Sequence, residues 1–302
     1  MGTVFTLRKP LKRAVLGTRG DDIVRTSPSR RVMDIRRRGS IKLRGGDDKI
    51  KGRSSILVKG LIRMGAGHDV ITSQKNIVIY EEANRVKLGR GHDIIRFNKG
   101  CLCLETAPEL ETGKGNDLIT GNRLRLDNTD MSMGAGNDRI DIAGEMTGNI
   151  TGLGMGSGND HLRVQGGLRL DWTFIGMGSG NDTVNLLGGG LDAAWAQEEL
   201  PTIDLGEGDD QFIGFASSFP NPDPENGGGG EAILIGNTGI DTVVLPTGVY
   251  TVAPTEIRTS VASLPLNGFE VMGGIHGGRF PYAAGILTVD NSGIASFAAA
   301  VA

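Results

Sequence analysis

Gly154-Met155-Gly156-Ser157-Gly158-Asn159-Asp160 returns almost unchanged as Gly176-Met177-Gly178-Ser179-Gly180-Asn181-Asp182. Two near-identical heptapeptides mark an internal repeat, and a repeat outranks every other signal in a chain. The pattern apolar-Gly-x-Gly-polar-Asp recurs at Met64–Asp69, Leu88–Asp93, Met133–Asp138 and Leu205–Asp210, and at Thr112–Asp117 with Thr in the apolar slot. Looser copies end at Asp22, Asp48 and Asp241. Arg44 replaces the first Gly before Asp48, and an extra residue enters before Asp22 and Asp241. From Asp22 onward the terminal aspartates lie 26, 21, 24, 24, 21, 22, 22, 28 and 31 residues apart.

After each Asp comes an alternating run, such as Ile94-Ile95-Arg96-Phe97, Leu162-Arg163-Val164 or Val184-Asn185-Leu186. A second short run follows within the unit, as in Leu124-Arg125-Leu126 and Leu168-Arg169-Leu170. Alternation over four to six residues between glycine turns predicts strands, not helices. Each unit is then two or three short strands, one coil of a solenoid in which the chain returns to its starting edge. The expected fold is all-β: a right-handed parallel β-solenoid of about ten coils across residues 17–245. Residues 1–16 read as an initial strand or cap, and residues 246–302 as a β-rich C-terminal cap. The two long intervals carry insertions: Gly188 to Pro201, with a helical turn around Trp195, and an exposed loop from Ser217 to Gly230.

Composition agrees. Glycine supplies 49 of 302 residues, more than double the usual ~7%, with no collagen triplet. Aromatics at 5% are too few for a thick globular core. The net charge of −3 hides an asymmetry: residues 1–100 hold 24 Lys and Arg against 9 Asp and Glu, and residues 101–302 hold 8 against 26. A basic end and an acidic end suit head-to-tail contact between copies, or binding of an acidic polysaccharide by the basic third. Nucleic acid is not expected, because that third offers few aromatics to stack bases. No apolar run approaches the ~18 residues of a membrane span. Residues 1–20 are too basic and interrupted for a secretory signal. Cys101 and Cys103 share one face of a strand and are expected to pack inward as small apolar groups rather than to bridge. Arg19-Gly20-Asp21 coincides with a repeat turn, so its reading is structural.

The turns carry the chemistry. Glycines permit positive φ, so the backbone can curl its polar groups toward one point. Asn, Asp or His before the final Asp, as at Asn137, Asp209 and His68, suits the same conformations. Stacking places successive carboxylates about one strand spacing apart, where they repel by roughly 0.8 kcal/mol in water and ~3 kcal/mol at an effective dielectric of 20. The carboxylates must tilt to solvent or hold cations between turns. Calcium suits the second arrangement, since it takes six to eight oxygens in flexible geometry; the Cys and His spacing of a zinc site is missing.

These turns resemble those of the calcium-binding RTX (repeats-in-toxin) family, whose nonapeptide Gly-Gly-x-Gly-x-Asp-x-apolar-x builds a β-roll. The resemblance spans about residues 16–245, with Leu266–Gly273 similar to segments near the ends of such proteins. It implies Ca²⁺ held by Asp69, Asp93, Asp117, Asp138, Asp160, Asp182 and Asp210, and more weakly Asp48. The carbonyls of Gly67, Gly91, Gly115, Gly136, Gly158, Gly180 and Gly208 would complete the sites. It also implies export through a one-step (type I) channel by an uncleaved C-terminal signal, hence an extracellular or cell-surface location. One calcium-type turn per ~22 residues departs from the family's two per coil and predicts a single metal edge.

The functional expectation is a secreted, calcium-binding structural protein that assembles end to end into a filament, matrix or surface layer. The alternatives are a polysaccharide lyase or epimerase on a β-helix, or a carbohydrate-binding adhesin module. Catalysis needs a base, an acid and a charge-neutralising group on one face. His68 and His92 are members of the turns, His161 follows a repeat Asp, and His276 lies in the cap. Asp141 with Arg163, and Arg125 with Asp127, read as solvated strand faces. No catalytic residue is assigned.

Overall fold

Alternation decides the fold because it commits every second residue to one interior. In a computed structural model the described residues are 1–80, 85–106, 108–192, 201–217, 222–223, 228–229 and 233–300. None of them is helical. The strands stack as parallel coils of a β-solenoid with about eight turns, against the ten expected. Contacts divide the chain into two compact units, Met1–Gly156 and Ser157–Ala302.

In the first unit each coil supplies three strands. One column follows the corner Asp and includes Ile23–Thr26, Lys49–Gly52 and Val70–Ser73. The second includes Val32–Ile35, Ser55–Val58 and Ile77–Tyr80. The third leads into the glycine turn and includes Ser40–Lys42, Leu61–Ala66, Val86–Arg90 and Glu109–Lys114. Strict register stacks like on like. Val24, Ile50, Ile71, Ile95, Ile119 and Ile140 succeed one another as direct partners, each at 0–2% exposure. Ile41, Ile62, Val86, Leu110 and Met131 do the same in the third column. Burying each such side chain contributes about 1.5–3 kcal/mol, which is how a thin core holds a chain with few aromatics.

In the second unit, Leu162, Val184, Phe212, Val243 and Met272 form one buried column. Ile175, Ile203, Leu234 and Leu266 form another. Beyond them the pairing turns antiparallel: Gly248–Ala253 lies between Glu256–Arg258 and Gly285–Val289, and Ala295–Ala299 is added outside. The expected β-rich cap is thus an antiparallel sheet. The helical turn around Trp195 lies outside the described residues, as does the Ser217–Gly230 loop apart from Ser217 and the short pair Pro222–Asp223 with Gly228–Gly229.

The cysteines correct an expectation. Leu102 and Leu104 fill the interior at 0% exposure, so the intervening and preceding cysteines face outward, and Cys101 and Cys103 are bridged to each other. Parity set by two leucines overrides the usual preference of Cys for the interior.

Glycine is required where coils meet. Gly89 has φ +125°, and a Cβ there would lie 1.9 Å from the Gly65 carbonyl oxygen one coil away. Gly154 has nothing within 4 Å of its Cβ direction. Gly89→Ala is therefore expected to destabilise by at least about 3 kcal/mol, combining a disfavoured backbone with overlap, whereas Gly154→Ala should stay within about 0.5 kcal/mol. Chemical denaturation of both variants checks the contrast.

Candidate metal centre

The parity that orients the core also orients the corner aspartates. Asp69 is two residues before Ile71 and Asp93 two before Ile95, so each carboxylate points to the interior side of its strand. In the first unit Asp48, Asp69, Asp93, Asp117 and Asp138 are 0–1% exposed, and in the second Asp160, Asp182, Asp210 and Asp241 are 0–2% exposed. They neither tilt to solvent nor stand at an open edge, as the repulsion argument allowed. The signal was present in the alternation.

Each carboxylate serves the coil before it. Asp48 Oδ1 accepts the Asp22 N–H at 2.7 Å, Asp69 Oδ1 the Asp48 N–H at 2.8 Å, and Asp93 Oδ1 the Asp69 N–H at 2.8 Å. Asp117 accepts from Asp93 at 2.8 Å and Asp138 from Asp117 at 2.7 Å. In the second unit Asp182 accepts from Asp160 at 2.7 Å, Asp210 from Asp182 at 2.7 Å and Asp241 from Asp210 at 2.9 Å. Glu270, which the repeat pattern misses, continues the series by accepting the Asp241 N–H at 2.8 Å. Its longer side chain reaches the same donor from just before Val271–Gly274, where the Gly-x-Gly pair is missing.

A second series runs the other way along the outer edge of the turns. Asp47 Oδ1 accepts the His68 N–H at 2.8 Å, His68 Nδ1 the His92 N–H at 2.8 Å, and His92 Nδ1 the Asn116 N–H at 2.7 Å. Asn116 accepts the Asn137 N–H, Asn159 that of Asn181, and Asn181 that of Asp209. The His68 and His92 rings stack with centroids 5.0 Å apart, and as acceptors at Nδ1 both carry their proton on Nε2. Asn, Asp and His share this slot because each places an acceptor at the same reach from the backbone.

The inner series leaves one atom over. Oδ2 of Asp48, Asp69, Asp93, Asp117, Asp182, Asp210 and Asp241 is buried with no hydrogen-bond partner. Asp22, at the first corner, differs: its Oδ2 accepts the Thr18 N–H and its Oδ1 the Thr3 N–H, both at 2.6 Å. Burial raises the Asp69, Asp93 and Asp182 carboxyls to about 7, and the Asp48 and Asp210 carboxyls to about 6, against the backbone N–H each accepts and reinforced by neighbouring aspartates. Asp117 and Asp241 shift the same way, again chiefly by burial.

This donor set suits a hard cation. It consists of carboxylate oxygens one coil apart with backbone around them, and the neighbouring histidines already use Nδ1. Among the described residues no three His, Cys, Asp or Glu side chains converge on one point. A cation here would be shared by successive aspartates and completed by backbone or water. The glycine carbonyls named by the resemblance lie in a separate, half-buried column. Those of Gly67, Gly91 and Gly115 face the α-carbons of Gly91, Gly115 and Gly136 in the next coil, and those of Gly158 and Gly180 face Gly180 and Gly208. No family model matches the chain, nor does any curated protein or solved structure.

A carboxyl raised from 3.8 to about 7 keeps its proton in the folded chain at pH values where the unfolded chain has lost it. Folding then takes up protons between about pH 4 and 7, so stability is fully present below that window and is lost as pH rises through it. Without metal, the melting temperature is expected to fall from pH 5 to pH 8; a flat or rising profile would show the carboxylates to be better solvated than their burial implies.

Proposed function

We propose that this chain is a calcium-stabilised structural solenoid of the cell exterior. The supporting observation is the column of buried Asp Oδ2 atoms without partners, since a buried carboxylate oxygen left unpaired is costly unless a proton or a cation meets it. Oδ2 of Asp48, Asp69, Asp93 and Asp117 in the first unit, and of Asp182 and Asp210 in the second, would hold the ions, with Asp138 and Asp160 at equivalent positions in their own units. Bound calcium supplies positive charge that lets these carboxyls stay ionised at neutral pH. The likeness of the turns to RTX repeats points the same way and extends to export: low calcium inside the cell leaves the corners unneutralised, and millimolar calcium outside favours the coiled state.

The role is structural rather than catalytic on this reading. The candidate Arg125 and Asp127 pair with each other at 3.2 Å on an exposed face, and Arg139 holds Asp141 at 2.8 Å. Self-association has its own support. Among the described residues, Val4–Leu7 pairs only with Ile23–Thr26, and Ala14–Leu16 only with Ser40–Lys42, which leaves one edge of the first coil bare. Thr3 and Leu7 carbonyls accept from Ile23 and Ser27, so the alternation of a parallel ladder turns the Val4 and Thr6 amides outward.

Calcium at 100 times its dissociation constant is expected to raise the melting temperature at pH 7.5 by about 5–10 °C over chelator; identical melts would end the calcium reading. Asp93→Asn keeps an acceptor for the Asp69 N–H and removes the charge. It should match or exceed the parent in chelator and gain less from calcium, whereas an undiminished calcium shift would remove Asp93 from the site. Thr6→Pro deletes an outward amide without touching the inner pairing. Sedimentation in calcium should show smaller assemblies than the parent, and unchanged assemblies would clear the first-coil edge of this role.

A further inference from the structure

Eight of the 24 Lys and Arg of residues 1–100 line a groove at one corner of the first unit. Three consecutive coils turn there, at residues 11–13, at 36–39 and at 59–60. The Leu11 backbone N–H donates to the Asp34 carbonyl at 2.8 Å, the Arg36 N–H to the Leu11 carbonyl at 2.9 Å, and the Lys59 N–H to the Ile35 carbonyl at 2.7 Å. Gly39 and Gly60 are buried where the turns stack. A Cβ on Gly39 would lie 2.3 Å from the Leu11 oxygen, and one on Gly60 would lie 2.0 Å from the Gly39 oxygen. Beside these turns lies a groove of about 1360 Å³, lined by residues 6–13 and 36–38 with Lys59.

Two of its cations are occupied. Arg36 pairs with Asp34 at 2.9 Å, and the Lys59 ammonium sits 4.7 Å over the Tyr80 ring. The other six, Arg8, Lys9, Lys12, Arg13, Arg37 and Arg38, are exposed and make no ion pair among the described residues. Six unpaired cations on adjoining coils create a field that a single small anion cannot match, and a linear polyanion can. The chain's own far end is a poor match: residues 246–302 hold Glu256, Glu270 and Asp290 against Arg258 and Arg279. Single-stranded nucleic acid is disfavoured because no aromatic side chain lines the groove, leaving unpaired bases nothing to stack on. Leu7, Pro10 and Leu11, half-buried among the cations, offer apolar surface for the apolar faces of sugar rings.

We infer that this groove binds a linear acidic polysaccharide, whose regularly spaced carboxylate or sulfate groups lie along the stacked corners. Arginine predominates among the lining cations and offers the paired donors that such groups accept. The site tethers the solenoid to an anionic matrix, and it stands independently of the calcium reading.

The test uses the full chain in calcium, titrated with labelled polygalacturonate, dextran sulfate and duplex DNA, followed by fluorescence anisotropy. Binding of either polysaccharide is expected, weakening at least about tenfold between about 50 and 200 mM salt. Polygalacturonate alone would assign carboxylate groups, and dextran sulfate alone sulfate groups. Lys12→Ala/Arg37→Ala/Arg38→Ala should lose at least tenfold in affinity with unchanged circular dichroism, whereas Arg63→Ala/Arg90→Ala/Lys114→Ala, equal in charge but remote from the groove, should bind as the parent does. Equal losses in the two triple variants, or no binding at the lower salt, would overturn the groove. DNA bound as tightly as both polysaccharides would overturn the choice of ligand. The groove variant should keep the calcium-dependent melting shift, so failure of either reading is seen separately.

Discussion

One hydrogen bond repeats at the corner of nearly every coil in both units: a backbone N–H of Asp to the carboxylate of the next Asp. It brings the chain round at the same place each time, because the donor and the acceptor belong to the same residue type in successive coils. The opposing series through Asp47, His68, His92 and Asn116 bonds the neighbouring amide in the reverse sense. A turn held by two such bonds of opposite direction cannot slip by a residue without breaking both. The hydrophobic columns then inherit their register from the corners, and each Ile or Leu meets its counterpart instead of its neighbour.

The same device creates the tension that a function can use. A carboxylate has two oxygens, and the ladder uses one. The second faces the interior, away from water, so the folded chain favours a neutral or neutralised carboxyl. A fold built on buried aspartates is therefore tied to protons or to cations in a way that a solenoid built on asparagine would not be. The first corner shows the other solution, since Asp22 spends both oxygens on backbone amides from Thr3 and Thr18.

Charge outside the corners follows a separate logic. On some strand faces it is compensated, as where Lys87 meets Glu109 and Glu111 across adjacent strands. At the first stacked corners it is not. Exposed pairs contribute little to stability, so an uncompensated group of six costs the fold little. The head-to-tail charge match suggested by the two halves of the sequence does not extend to the cap, where acids and bases nearly balance.

The sequence by itself determines the class of fold, because glycine turns at regular intervals and period-two runs admit only stacked strands. It also determines which side of the strand each corner Asp faces, since Asp69 and Ile71, or Asp182 and Val184, share parity. Only the tertiary structure decides three strands per coil in the first unit, the antiparallel cap, and the recruitment of Glu270, because these depend on where the chain returns in space. The outward disulfide of Cys101 and Cys103 was legible in principle from Leu102 and Leu104 but was masked by the usual burial of cysteine. The repeated Gly-x-Gly-polar-Asp turn marks where a coil ends. That its carboxylate is half used and half stranded follows from stacking alone, since each coil offers one amide for two oxygens.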